Sequence, residues 1–293
     1  MIRKENYLNN RELLKQIHIN KMNFCYIEDR KYYYYDLIVA DLNEVTPEKI
    51  TEAKINKAKR LAYVEYEKAI AEWTKNNKKG LRPKLNQFAV DPETITTEEL
   101  VYRVMTFEHI PLSDRKKNPK KTADRHIRCN FPPFKHFVKE NNEWREVVRS
   151  HWEGDIETGN FSLISGQLNN RIGNMIMMLV DRYATRSNWR GYSYNDEMKG
   201  EALVHLIKTC LYFDESKSDN PFAYLTTLIT NSFTSVLNNE KKNQSIRDDM
   251  LQDNGYMPSY NRQLEDENNQ QVARNEAYAA KIEQELKDLG FNT

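Results

Sequence analysis

NWRGYSYNDEMKGEALVHLIKTCLYFDESKSDNPFAYLTTLITNSFTSVLNNEKKN, residues Asn188–Asn243, holds the two segments whose periodicity decides the fold. From Asp196 to about Leu211, the residues Ala202, Leu203, Leu206, Ile207 and Cys210 share one broad face at 100° per residue. Glu197, Glu201, His205 and Lys208 share the opposite, narrower face. The apolar face is wide enough to be core. The charged stripe has two readings. It is a docking face for a basic helical partner, or a solvated face with an internal Glu201/His205 pair worth about a few tenths of a kcal/mol.

The second helix is expected from Pro221 to about Asn239, capped by Asn220 or Asp219 with Pro221 in its first turn. Phe222, Leu225, Leu228, Ile229, Phe233 and Val236 lie on one side. Thr227, Thr230, Asn231, Thr234 and Asn238 lie on the other, and Lys241 and Lys242 continue that side. Exposed helix faces usually carry Glu, Lys or Arg, which favour helix more than Thr or Asn do. A row of Thr and Asn costs helix stability, so it serves something else. Small neutral donors and acceptors approach base edges and phosphates closely, and the lysines attract phosphates.

Outward from this stretch the chain reads as mainly helical. Residues 7–17 predict a short helix capped by Asn9 or Asn10, with Leu13, Leu14 and Ile17 inward. MNFCYI (22–27) and KYYYYDLIVA (31–40) predict a β-hairpin across EDR. The four tyrosines read either as half-buried core aromatics or as a stacking platform for bases. Thr46-Pro47 starts a helix expected to reach about Lys75, with Ile50, Ala53 or Ile55, Ala58, Leu61, Ala62 and Ala69 inward. Further helices are expected near Thr97–Phe107, 138–152 and 162–185, and residues 112–133 as an exposed basic loop. In the 162–185 helix, Met175, Met177 and Met178 are expected to fill core. Residues 245–274 are expected to be disordered or loosely attached, and 275–289 helical through Tyr278, Ile282, Leu286 and Leu289.

Composition narrows the class. Hydrophobic residues make up 39% of 293, enough for a real core despite a mean hydropathy of −0.84. Net charge is +1, so no global attraction to nucleic acid or membrane is implied. Charge is uneven, however. Arg115–Arg128 holds seven basic residues against Asp124, whereas Ser245–Thr293 holds five basic against ten acidic. A basic patch and an acidic tail fit two different partners, or two solvated surfaces. Cys25, Cys129 and Cys210 are far apart and odd in number, which fits a reducing cytosol rather than a disulfide framework. MIRKENYLNN has no apolar signal core, and no apolar run is long enough for a membrane span. His126, Cys129, His136 and His151 match no zinc spacing, and no phosphate loop, nucleophile elbow or HExxH occurs. No metal, cofactor or catalytic residue is therefore expected.

The order NW-R-GY (Asn188–Tyr192), EM-x-x-E (Glu197–Glu201), FDE (Phe213–Glu215) and NP-x-AY (Asn220–Tyr224) resembles region two of sigma-70-type transcription factors. It is closer still to the late-transcription sigma factors of T-even-like tailed phages, whose opening NYLNNRELL (Asn6–Leu14) also resembles. The resemblance covers roughly 80 of 293 residues. It implies four parts: an N-terminal core helix (1–20), a mixed α+β insertion with a β-hairpin, helices and a basic loop (21–160), a sigma region-two-like helical domain (161–243) and a flexible acidic tail with a terminal helix (244–293).

The resemblance also implies roles. The acidic helix, with Glu197, Glu201, His205 and Lys208, would bind the clamp helices of the largest subunit of bacterial core RNA polymerase. The next helix would open and hold the non-template strand of an AT-rich minus-ten-like late promoter. Asn231 and Thr234 fall at the minus-ten readers and Tyr224 at an aromatic just before them, flanked by Thr227, Thr230, Asn238, Lys241 and Lys242. The tail ELKDLGFNT offers Leu286, Asp288, Leu289 and Phe291 as a hook for the phage sliding clamp, or as an amphipathic helix packed on its own protein. A late coactivator is a further implied partner, and the cytoplasm of the infected host the implied location. The chain departs from the primary factors where their tryptophan pair wedges the bubble: here Thr227 and Leu228 stand. No minus-35-reading helix-turn-helix is expected from the residues after Asn243. The rival readings are a polymerase-binding adaptor without enzymatic activity and a DNA-processing nuclease gripping substrate with the basic loop.

Overall fold

The computed structural model describes residues 8–111 and 128–288. The fold is mainly α with a small mixed sheet. Among the described residues the α-helices are α1 (Asn10–Met22), α2 (Pro47–Lys75), α3 (Asn170–Ala184), α4 (Asn195–Thr209), α5 (Pro221–Asp253) and α6 (Tyr260–Asp288). Five strands form one sheet in the order β1-β5-β4-β3-β2: β1 (Cys25–Ile27), β2 (Leu37–Val39), β3 (Val101–Met105), β4 (Phe134–Glu140) and β5 (Glu143–Ser150). The pair β2–β3 is parallel and the rest are antiparallel. A small ribbon joins β6 (Trp152–Glu153) to β7 (Asn160–Phe161).

Helix starts follow local chemistry. Asn9 caps α1, accepting from Glu12 N at 2.7 Å. Thr46 caps α2, with Pro47 in the first turn. Asn220 caps α5, accepting from Ala223 N at 3.1 Å. Leu13 and Ile17 of α1 are fully buried, as their spacing requires, while Leu14 is half-buried. On α2 the buried positions are the small Ala53, Ala58 and Ala62, and Ile55 and Leu61 are exposed. α3 begins only at Asn170, because Asn169 caps it through Ile172 N and 162–168 is irregular. There Met175 is core, Met178 is half-buried and Met177 is exposed.

The strands correct three expectations. The hairpin across EDR does not form: β1 and β2 lie at opposite edges of the sheet, paired with β5 and β3. Asp29 instead caps a 3-10 turn at Arg30–Tyr32, and Tyr33–Tyr35 carry the chain across. The stretch near Thr97–Phe107 is a short 3-10 turn followed by β3, whose VYRVM is buried on both faces. The stretch 138–152 is the end of β4 and all of β5, not a helix. Asn141 and Asn142, at φ +50° and +68°, form the two-residue turn between them, with Glu140 opposite Glu143. A bulge at His136/Phe137 lets β5 bury the consecutive Val147 and Val148, which imitates helical spacing in the sequence.

Where disorder or loose attachment is expected, residues 244–253 and 260–274 are helical. α5 runs on to Asp253 and α6 takes up 260–288. Asp248 joins the two, accepting from Ser259 N at 2.8 Å and Ser259 Oγ at 2.7 Å. From Glu267 to Glu285 every side chain of α6 is exposed. Of the basic stretch, Arg128 is described, whereas 115–127 lie outside the described residues. Cys129 and Phe131, expected in an exposed loop, are buried.

The sheet has helices on both faces. On one, Leu37, Val39, Tyr102 and Val104 meet Ala53 and Ala58 of α2. On the other, Val101, Val147 and Phe134 join a large cluster with Leu13 and Ile17 of α1, Ile176 of α3, Leu206 of α4 and Phe233 of α5. Residues from 1–20, 21–160 and 161–243 therefore share one core.

Candidate nucleic-acid interface

α3, α4 and α5 pack together, and α1 lies against α3 and α5. Asn195 fixes the turn into α4, donating through Nδ2 to Trp189 O at 3.0 Å and Ala184 O at 3.3 Å. The Trp189 ring is buried 5.4 Å from Phe233. Met198, Ala202 and Leu206 of α4 are fully buried. The outer face carries Glu197, Glu201 and Lys208, all exposed, interleaved with Val204 and Ile207, each about half exposed. His205 does not belong to that face. Its Nδ1 lies 2.8 Å from Ser232 Oγ, and that hydroxyl already donates to Leu228 O. The serine oxygen thus accepts from His205, and no Glu201/His205 pair forms.

α5 divides its expected row in the same way. Thr227, Asn231, Thr234 and Asn238 are exposed in one stripe, followed by exposed Lys241 and Lys242. From Thr227 to Lys242 this stripe is roughly 22 Å long. Thr227 Oγ1 donates to Ala223 O at 3.0 Å. Asn231, Thr234, Asn238 and the two lysines make no side-chain hydrogen bond or ion pair with any described residue. Tyr224 and Thr230 are turned inward. Tyr224 donates to Thr209 O at 3.0 Å, lies 5.5 Å from the Phe213 ring, and burial pushes its pKa up to about 12. Thr230 donates to Thr226 O at 2.9 Å, which leaves its oxygen to accept from Tyr183 OH at 2.7 Å. Both residues fasten α5 to its neighbours instead of facing a ligand.

The loop between α4 and α5 is held by a buried polar knot. Glu215 accepts from Arg103 Nη1, and Lys21 Nζ lies 3.6 Å from its other oxygen. Lys21 also donates to Phe213 O at 2.7 Å. Arg103 continues to His136 Nε2 at 3.0 Å and His18 Nδ1 at 3.1 Å, between the rings of Tyr35 and Phe134. A guanidinium has no acceptor, so both imidazole nitrogens facing it carry lone pairs. Each ring then donates from its other nitrogen, His136 to Tyr32 O and His18 to Tyr33 O, both at 3.0 Å. Burial, and then the charge of Arg103, hold both histidines well below the usual imidazole range. Phe213, Asp214 and Glu215 are visible in the sequence as a motif. Arg103, 112 residues away from Glu215, carries no local sign of its role.

The residues considered for zinc do not converge. His136 belongs to the knot, and His151 stacks on Phe131 at 4.1 Å. His126 lies outside the described residues. Among the described residues no group of three or more His, Cys, Asp or Glu is placed to hold a metal ion, and no helix is long and apolar enough to cross a membrane. Leu286 and Asp288 fall in the last turn of α6, and Leu289 and Phe291 lie outside the described residues. Compared with known proteins, the chain matches no family model, no curated protein and no solved structure.

Proposed function

We propose that this chain is a sigma-type transcription factor of the phage late class. α4 docks on the clamp helices of bacterial core RNA polymerase through Glu197, Glu201 and Lys208, with Val204 and Ile207 supplying apolar contact. α5 holds the non-template strand of an AT-rich minus-ten-like element with Thr227, Asn231, Thr234 and Asn238, and Lys241 and Lys242 attract its phosphates. Tyr224, Thr230 and His205 position these helices. The tail of α6 carries the implied contact with the sliding clamp, and the factor works in the infected host's cytoplasm.

The observation that carries this reading is the exposed Asn231–Thr234–Asn238 row, whose side chains bond to no described residue and weaken their own helix. Side chains of this kind reach bases without carrying a fixed charge into the strand. Opening draws on binding energy. Pyrimidine–purine steps such as TA unstack at low cost, and the unstacked bases are then held.

The docking half is tested by Glu197→Lys with Glu201→Lys, which reverses two exposed charges and leaves the core untouched. Binding to sigma-free core polymerase is expected to be abolished, with an unchanged circular dichroism spectrum and melting temperature. Wild-type affinity in the double variant would refute α4 as the docking face.

A further inference from the structure

A cavity of about 350 Å3 opens between α1 and α2, with no α4 residue in its lining. That size suits a small ligand, for which sites of roughly 300–1,000 Å3 are usual. α1 contributes Arg11, Lys15 and His18 at helical spacing, and α2 contributes Arg60, Tyr63 and Glu67. The tyrosine run supplies a wall. Tyr34 stacks on His18 at 5.1 Å and 26°, with the Arg60 guanidinium 5.4 Å from its ring. Opposite, the Arg11 guanidinium lies over the Tyr63 ring.

The charges of this cavity are unevenly satisfied. Lys15 pairs with Glu67 at 2.6 Å, and Arg60 with Asp36 at 2.6 Å. Asp36 is further occupied by the amide of Val101 at 3.0 Å. Both carboxylates are thus taken. Arg11 forms no ion pair or hydrogen bond with any described residue, and partial burial lowers its pKa against the opposing pull of Glu67 and Glu12. Arg60 Nε is buried and without a partner. Flat aromatic walls call for a flat ring, and an unpaired guanidinium calls for an anion.

We propose that this cavity binds a nucleotide, its base against Tyr34 and Tyr63 and its phosphate on Arg11. A bare anion would leave the aromatic walls unused, and a metal cation would meet a lining of three cations and two engaged carboxylates. The nucleotide has two sources: a free mononucleotide, or one unstacked residue of a single strand. The second has a physical route, because Asn10 accepts from Phe222 N at 3.0 Å and so joins the first turn of α1 to the first turn of α5. The site does not depend on polymerase docking.

The test is calorimetric titration of the full chain with adenosine monophosphate, inorganic phosphate and decathymidylate. Phosphate is expected to bind about tenfold or more weakly than the mononucleotide or the oligonucleotide, because stacking is lost. Arg11→Ala with Tyr63→Ala alters one exposed and one half-buried side chain and is expected to weaken binding about tenfold or more. Thr234→Ala with Asn238→Ala leaves mononucleotide binding unchanged, which separates this cavity from the α5 row. In the wild-type protein, photolysis of 8-azido-adenosine monophosphate should label the peptides carrying Tyr34 or Tyr63. Loss of mononucleotide binding in the double variant identifies a free nucleotide as ligand, and loss of oligonucleotide binding alone identifies the strand. Neither ligand binding better than phosphate, neither being weakened by the double variant, or labelling confined to other peptides would each overturn the proposal.

Discussion

Single residues here do their work by being neutral in the right place. His18 and His136 accept from Arg103 and must stay unprotonated, since a proton on either would set a cation about 3 Å from a buried guanidinium. Burial likewise lowers His109 to about 4 and His151 to about 3. Each folded value lies below the free imidazole value of 6.5. Above that value folded and unfolded chains bind the same number of protons, and the stability from these histidines is fully present. As pH falls below it, the unfolded chain takes up protons that the folded chain refuses, and stability is lost until the folded pKa is reached. For each histidine the slope grows toward a limit of about 1.4 kcal/mol per pH unit well below the free value, from about half of that limit at about pH 6.5. Urea midpoints should therefore fall steadily between about pH 6.5 and 5, above the range in which carboxylates titrate. A flat midpoint across that interval would mean that these imidazoles are not held neutral by the fold.

At the level of elements, α5 trades stability for an exposed row, and the trade can be measured. Asn231→Ala with Thr234→Ala should raise stability by about 0.5 kcal/mol per site, since alanine is the better helix former. The same variant should keep core-polymerase binding but lose strand opening, read by permanganate reactivity of thymines in the minus-ten element. Wild-type reactivity would remove these two residues from the strand-holding role. Helices were legible because caps and 3.6-residue spacing are local: Asn9, Thr46 and Asn220 each mark the start that forms. Strands were not, because the sheet is covered on both faces and a bulge puts Val147 beside Val148 in the core. Asn141-Asn142 was the one local sign of the β4–β5 hairpin. Within α5, the projection separates a polar side from an apolar one but does not say which flanks neighbours cover. Tyr224 and Thr230 sit about 60° to either side of Thr227, and α4 takes one while α3 takes the other.

Across the whole molecule, the described residues of 21–160 are part of the same body as the helices. Its strands pack on α1, α3, α4 and α5 through one cluster, and Arg103 reaches across to Glu215. The loop between α4 and α5 is thus held by a strand more than 100 residues earlier, a dependence no local pattern could reveal. The same arrangement brings the nucleotide cavity, the α5 row and the α4 face into one protein. The net charge of +1 gives little long-range attraction to DNA. On this account, promoter contact gains its strength when the factor sits on polymerase. The most direct measurement is run-off transcription with the purified protein, sigma-free bacterial core polymerase and a supercoiled template bearing a TATAAATA-like element. The account predicts a discrete transcript starting downstream of that element, absent without the protein and lost with Glu197→Lys and Glu201→Lys. No specific transcript, together with no binding to core polymerase, would contradict it.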